Sequence, residues 1–332
     1  MHILHATPLT QILGNYYSVW ILHAAARLEI ADHLRDGPLT VAALAARCDA
    51  REDTLRRFLH ALQMLGVVAP EGDGAFALTP TGHWLRADVP GSLRASALMC
   101  GDPAFFHAWR DCDEAVRTGH PSFESANGAS FFEHLDQRPE LLENFQLAMS
   151  GFPAVNDFVL DAWDFGSRRA VLDVGGGTGS LARAIAARHP QVQAMVLDRP
   201  SVLDANTRAG RASGDVTWIG GDFLTAIPAG ADTHVLRFVL SDWSDEDTVR
   251  ILTNCREALP GEQGRLLIID NLQPEGEPDF TSALDMTMLV LTGGQGRTGA
   301  AYQALLEEAG FRHVERVMTT ARATIVVAAP AG

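Results

Sequence analysis

At 332 residues the chain exceeds the usual size of one hydrophobic core, so two domains, or one with a sizeable accessory part, are expected. Its 47% apolar and 20% charged residues exclude a disordered or fibrous protein. With 26 Lys and Arg against 41 Asp and Glu, the formal charge of -15 repels phosphate backbones and argues against a nucleic-acid partner.

From Met1 to Trp20 there is no basic stretch followed by a long apolar core, and nowhere do roughly 18 apolar residues run uninterrupted, so no export signal and no membrane span are expected. Between Tyr16 and His33 the residues Val19, Leu22, Ala26 and Ile30 recur at helical steps, which predicts one amphipathic helix. Thr40 is placed to cap a short helix ending near Arg47, and Cys48-Asp49-Ala50 reads as a turn. Leu55, Phe58, Leu59, Leu62 and Leu65 then mark one face of a second helix, which Gly66 ends. Val67 to Ala69 and Phe76 to Leu78, around Glu71-Gly72-Asp73-Gly74, predict a small hairpin. This is a winged-helix pattern. Because its second helix carries Glu52 and Asp53 beside Arg51, Arg56 and Arg57 on an acidic chain, we read it as a dimer-forming element rather than a DNA reader.

Residues from Leu93 to Asp161 read as mostly helical, with aromatic positions such as Phe105, Trp109, Phe131, Phe132 and Phe145 among the apolar ones. After Arg168, strand-like runs alternate with helical ones: Ala170 to Val174, Ala194 to Leu197, Val216 to Ile219, His234 to Leu240 and Leu266 to Ile269. That alternation predicts an α/β fold with a parallel sheet between helices. The closing runs, His313 to Met318 and Thr324 to Ala328, are too close together for a crossover and predict an antiparallel hairpin. The four cysteines, Cys48, Cys100, Cys112 and Cys255, are widely spaced and lack a C-x-x-C pattern, so neither a disulfide framework nor a metal site is expected, and a reducing cytoplasm fits.

Asp173-Val174-Gly175-Gly176-Gly177-Thr178-Gly179 carries the strongest chemical signal, a buried strand passing into a glycine turn and a helix. Asp198 closes the next strand, where it can accept two ribose hydroxyls, and Gly221-Asp222-Phe223 follows the third, where it can meet an adenine ring. A dinucleotide loop reads G-x-G-x-x-G and serves a pyrophosphate. Here Asp-x-Gly-x-Gly-x-Gly begins with an acid, which suits a cationic cofactor bearing an amino group and no phosphate, as in S-adenosylmethionine.

Over nearly its whole length the chain resembles the S-adenosylmethionine-dependent O-methyltransferases of plant phenylpropanoid and bacterial polyketide pathways. The resemblance is carried by the winged-helix-like start, Asn144-Phe-Gln-Leu-Ala-Met149, the glycine motif, Asp198, Asp222-Phe223 and Leu240-Ser241-Asp242-Trp243. It continues through Cys255-Arg-Glu-Ala-Leu-Pro260, Asp285-Met286-Thr287-Met288-Leu289, Gly293-Gly294-Gln295-Gly296-Arg297-Thr298 and Ala309-Gly310-Phe311. It implies a Rossmann-like, seven-stranded, mostly parallel sheet with a C-terminal antiparallel hairpin, preceded by a mainly α-helical winged-helix-like dimerisation domain. The corresponding division is 1–100 for dimerisation, 101–160 for a helical linker roofing a substrate cleft, and 161–332 for the cofactor domain. It implies a homodimer, a small-molecule substrate, S-adenosylhomocysteine as a product, and cofactor contacts from Gly175, Gly177, Asp198, Asp222, Phe223, Arg237 and Trp243 besides Asp173. Met149, Phe152, Met288, Leu289 and Thr292 match substrate-lining positions, and their apolar character suits a flat aromatic or polyketide-like acceptor.

Two departures stand out. Ser241 lies where many members have the His that deprotonates a phenol, and Gly296 where they have a Glu that orients it, whereas Asp270 remains at the position of a second orienting acid. An unassisted hydroxyl does not accept a proton near neutral pH, and losing a general base forfeits about 10²- to 10⁴-fold in rate. Asp270, Asp242 and Ser241 are therefore the catalytic candidates, with His107, His120 and His134 as alternative bases and His107 placed with the substrate contacts. The sequence thus points to methyl transfer onto O, N or C of a secondary metabolite. The alternative is a relative that keeps the cofactor but catalyses a non-methylating rearrangement, cyclisation or hydroxylation.

Overall fold

The computed structural model describes residues 8–150, 153–212, 214–318 and 323–331. The chain forms two compact units, one built from residues up to Phe106 together with a short piece from Leu147, the other from His107–Gln146 and the remainder. The residues of 101–160 are thereby divided between the two.

In the first unit, helix Tyr17–Arg27 buries Ala25 and Ala26 and then stops. Glu29 adopts φ 52 and starts a separate helix, Ile30–His33. The single helix expected over this stretch is broken because the turn directs Ile30 and Ala31 into a core with Val41, Leu44, Leu59 and Leu62. Thr40 Oγ1 accepts from the Ala43 N–H at 3.2 Å and caps helix Val41–Arg47. Helix Glu52–Met64 buries Leu55, Leu59 and Leu62, a stripe at helical spacing, and Gly66 at φ 72 turns the chain out of it. Strands β1 (Leu39–Thr40), β2 (Val68–Glu71) and β3 (Ala75–Leu78) make an antiparallel sheet in the order β1-β3-β2. The expected wing is there, with a short third strand added by β1. On helix Pro8–Gly14 and just beyond it Leu9, Ile12, Leu13 and Tyr16 are exposed.

The second unit is organised on a seven-stranded sheet of β4 (Ala170–Val174), β5 (Gln193–Asp198), β6 (Val216–Gly220), β7 (Thr233–Arg237), β8 (Arg265–Asp270), β9 (Phe311–Met318) and β10 (Thr324–Pro330). Their order is β6-β5-β4-β7-β8-β10-β9; the first five are parallel, and β10 runs antiparallel between β8 and β9. Runs such as Ala170–Val174, apolar but for Asp173, are buried on both faces, as parallel strands under helices require. On one face Leu172, Leu236 and Leu266 pack with Ile251 and Leu252 of helix Asp245–Ala258 and with Tyr302 and Leu306 of helix Gly299–Glu308. On the other, Val171, Val235 and Leu267 meet Leu181 and Ile185 of helix Ser180–Arg188 and Val159 of helix Pro153–Ala162. Each such Leu, Ile or Val contributes about 1.5–3 kcal/mol on full burial.

The strand expected from His234 to Leu240 ends early, at Arg237. Phe238 takes φ 54, a costly conformation for a side-chain-bearing residue, and its N–H donates to the Ile269 carbonyl at 2.9 Å. The chain thus leaves the sheet, and Leu240–Asp242 forms a 3₁₀ turn. Strand order reverses between β4 and β7, the place where open α/β sheets form a crevice beyond their carboxyl ends. Among the described residues no helix is long and apolar enough to cross a membrane.

Candidate active site

Asp173 lies near the carboxyl end of β4, is 1% exposed, and its Oδ2 finds no hydrogen-bond partner. Burial pushes its carboxyl up to about 6, against the pull of the Arg237 guanidinium and with a further push from Asp198. Gly175 and Gly177 follow at φ 69 and 58, and each approaches a neighbour that a side chain would strike. A Cβ at Gly175 would lie 2.9 Å from Val239 Cγ2 and 3.5 Å from Phe223, and one at Gly177 would lie 2.7 Å from Gln146 Oε1. The loop amides are turned inward: Gly175 N donates to Leu197 O at 2.8 Å, Gly177 N to Asp198 Oδ2 at 2.8 Å and Gly179 N to Gly176 O at 2.9 Å. A loop that spends these amides on its own chain is not a phosphate nest. Asp198, closing β5, also accepts from Arg199 N at 2.7 Å, so it ties the second strand to the loop.

Arg237, closing β7, donates to Asn156 Oδ1 at 3.0 Å and to Ser180 Oγ at 3.2 Å, and its burial lowers its proton affinity while Asp173 raises it. Asp222 accepts from Leu224 N and Thr225 Oγ1, both at 2.9 Å, which fixes the turn carrying Phe223. Phe223 meets Trp243 edge to face at 5.6 Å, and Trp243 stacks on Phe132 at 5.7 Å with 18° between planes. Buried acids beside a glycine turn and an aromatic wall fit a cofactor with an ammonium group, a sulfonium and an adenine, the chemistry of S-adenosylmethionine. Asp173, Asp198, Phe223 and Trp243 are the residues that would hold it.

The same edge holds a second group of acids. Asp270, closing β8, is 5% exposed and accepts from Tyr302 Oη at 2.5 Å and from Asn271 N at 2.7 Å. Burial pushes its carboxyl up, opposed by the Tyr302 and Asn271 bonds, the Arg297 charge and the Ser241 hydroxyl. Asp242 is pushed up to about 7 by burial and then by the Asp270 charge, without those opposing donors. The two carboxyls push each other's proton affinity up, and Asp270 has the donors Tyr302 and Asn271 to oppose that push where Asp242 has neither. Ser241 lies on the same 3₁₀ turn as Asp242, and its hydroxyl cannot act as a base near neutral pH.

Residues 109–312 match the O-methyltransferase domain and residues 10–88 the O-methyltransferase dimerisation domain. The chain belongs to the O-methyltransferase family. It is 37% identical to the phenazine O-methyltransferase PhzM of Lysobacter antibioticus over 97% of this chain and 95% of that one. The aclacinomycin 10-hydroxylase RdmB of Streptomyces purpurascens is 35% identical, over 91% of this chain and 83% of its own. A solved structure of LaPhzM superposes with a TM-score of 0.91 at 36% identity, covering 98% of this chain and 100% of that chain. The chain is an S-adenosylmethionine-dependent methyltransferase, and its Rossmann-like sheet with the antiparallel hairpin is that of such enzymes.

The methyltransferase places Met288, Leu289 and Thr292 half-buried on or at the end of helix Thr281–Leu291. Asp285 of that helix accepts from Gly296 N at 2.7 Å, and Gly294 is so close to the 241–242 backbone that a Cβ would lie 2.1 Å from Ser241 O. This helix, the glycine loop after it and the Ser241–Asp242 turn therefore form one group. The space a Cβ at Gly296 would enter is taken by Gln273, whose Nε2 would lie 2.4 Å away. Gln273 is held there by Thr281, its Nε2 donating to Thr281 O at 2.9 Å and its Oε1 accepting from Thr281 Oγ1 at 3.2 Å. Met149 belongs to the other unit, where it is exposed, and Phe152 lies outside the described residues. His107 is half-buried near Asp111, His134 packs edge-on against Phe123 at 5.4 Å, and His120 is exposed beside Pro121, which lies against Gly293. Sequence reasoning missed Phe132, Gln146, Asn156, Gln273 and Tyr302, each brought in by tertiary packing rather than by a local motif.

Proposed function

We propose that this methyltransferase methylates the oxygen of an acidic phenol or enol on a flat, largely apolar acceptor, with Asp242 receiving the acceptor's proton. The observation that carries this reading is the pair of acids at the sheet edge, buried Asp270 and half-buried Asp242, in which Asp270 accepts from Tyr302 Oη and Asn271 N and Asp242 has neither donor. A carboxylate held up to about 7 is matched to an acidic hydroxyl near neutral pH, whereas an ordinary carboxylate is too weak a base. S-adenosylmethionine, when bound, supplies the activated methyl group on its sulfonium. Asp173 and Asp198 balance that cofactor's charge and Phe223 and Trp243 face its aromatic part. Met288, Leu289 and Thr292 orient the acceptor, and its alignment contributes through proximity.

The family's dimerisation domain over 10–88 and the exposed Leu9, Ile12, Leu13 and Tyr16 support a homodimer, which light scattering would establish. The cysteines are free and support a reducing, cytoplasmic setting. The deciding experiment is incubation with S-adenosylmethionine and a panel of phenolic, indolic and amine acceptors, read by mass. A methylated phenol and S-adenosylhomocysteine in equal amounts support the proposal, and methylation of amines alone rejects the oxygen assignment. An acceptor transformed without S-adenosylhomocysteine rejects methyl transfer in favour of the non-methylating alternative.

A further inference from the structure

Tyr302 is fully buried on helix Gly299–Glu308, yet its hydroxyl reaches the end of β8 and donates to Asp270 Oδ2 at 2.5 Å. A large buried aromatic could have been a Phe; the hydroxyl has one partner at this distance, and that partner is a carboxylate at the reacting edge. Arg297, 3% exposed, lies over the Tyr302 ring with its guanidinium carbon 5.8 Å from the centroid. The same guanidinium donates to Leu240 O at 2.7 Å and to Trp243 O at 2.8 Å, gripping both ends of the Leu240–Asp242 turn, and to Asp245 Oδ1 at 2.9 Å. One side of this frame fixes Asp270 and the other fixes Asp242.

We propose that Tyr302 is a positioning residue for proton transfer, its hydroxyl holding Asp270 as the anion that makes Asp242 the proton acceptor. This rests on the reading of Asp242 above. The charged and titratable groups facing the pair are Tyr302 from its helix, Arg297 from the preceding loop, and Ser241 with Asp242 itself from the turn, with the Asn271 N–H as a further donor. Burial and the Asp270 charge push the Tyr302 hydroxyl well above its usual range, so it remains a donor wherever the pair titrates. Without that donor Asp270 takes up a proton more readily. Asp242 then faces a neutral neighbour and holds its own proton less tightly.

The first test is Tyr302→Phe in the full chain. The acid limb of the kcat profile is expected to move to lower pH by about one unit and the plateau to fall by about tenfold, with KM little changed. Asp270→Asn is expected to move the limb in the same direction, and the double variant no further. A Tyr302→Phe enzyme that loses rate equally at every pH, or only lowers the thermal midpoint, would overturn the proposal. The second test needs no acceptor, and its first reading is made on the unsubstituted enzyme. The chain has 3 tyrosines, and Tyr16 and Tyr17 are exposed, so fluorotyrosine incorporation gives few fluorine resonances. The Tyr302 resonance is expected to titrate with a midpoint near neutrality in the unsubstituted enzyme and to stop doing so in Asp242→Asn. A resonance that stays fixed through neutrality refutes the positioning role even if methyl transfer holds. One that titrates supports it even if no phenol in the panel is methylated.

Discussion

Replacing Asp173 by Asn removes a buried negative charge without changing side-chain volume. The rise of its carboxyl from 3.8 to about 6 means that ionising it in the cofactor-free protein costs about 3 kcal/mol, and a bound cation offsets that cost. Because the pKa is raised, the carboxylate is present above about 6 and is lost as pH falls through that value. Cofactor affinity should therefore be constant above about pH 7 and weaken by about tenfold per unit below pH 6. Losing a hydrogen bond to a charged group costs about 1.5–3 kcal/mol, so Asp173→Asn should bind about 10- to 150-fold more weakly at pH 7.5. Its remaining affinity should lack the acid fall-off. Calorimetric titration with S-adenosylhomocysteine across about pH 5 to 8 measures both quantities. An Asn variant that binds within twofold of the original, or that keeps the same fall-off, would refute the assignment of Asp173 to the cofactor's cationic end.

Asp242→Asn should lower kcat by about 10²- to 10⁴-fold and abolish the limb near pH 7, checked by initial rates over a pH series with the best acceptor. Gly177→Ala forces a side chain into a left-handed backbone, at about 1–2 kcal/mol, and against Gln146. A lower thermal midpoint and at least about tenfold weaker S-adenosylhomocysteine binding should both follow. His234 is buried in β7 with neither ring nitrogen partnered, and burial lowers it from 6.5 to about 4. The unfolded chain gains that proton first, so stability is full above pH 6.5 and about 3 kcal/mol is lost as pH falls to about 4. Urea unfolding across that range should show a shallower loss for His234→Leu than for the unchanged chain.

The apolar runs of β4, β5 and β8 are legible because parallel strands buried on both faces need them, and each lies within a residue or two of the run that announces it. The glycine turn after β4 was legible for a related reason: its glycines are local requirements of one turn. β7 was overextended because Val239 and Leu240 continue the apolar run, whereas the reversal at Phe238 depends on the hydrogen bond to Ile269, which no local pattern records. The aromatic wall was half legible. Phe223 and Trp243 follow strands, but Phe132 reaches them from far earlier in the chain. Asp242 and Asp270 could be named as acids near the edge, but their division into anion and acceptor depends on Tyr302, 32 residues from Asp270 in sequence.

The packing at Gly296 bears on how this lineage can change. Restoring an imidazole at Ser241 would call for a carboxylate at Gly296 to orient it, and that volume is already filled by a Gln273 side chain bonded twice to Thr281. A single replacement at either position would be incomplete: a histidine at 241 would find the acid at 270 but none at 296, and a glutamate at 296 would displace the Gln273 amide from its hydrogen bonds. The chemistry open to this corner is therefore tied to its packing, and a different base at 241 would require the side chains at 273 and 296 to be rebuilt with it.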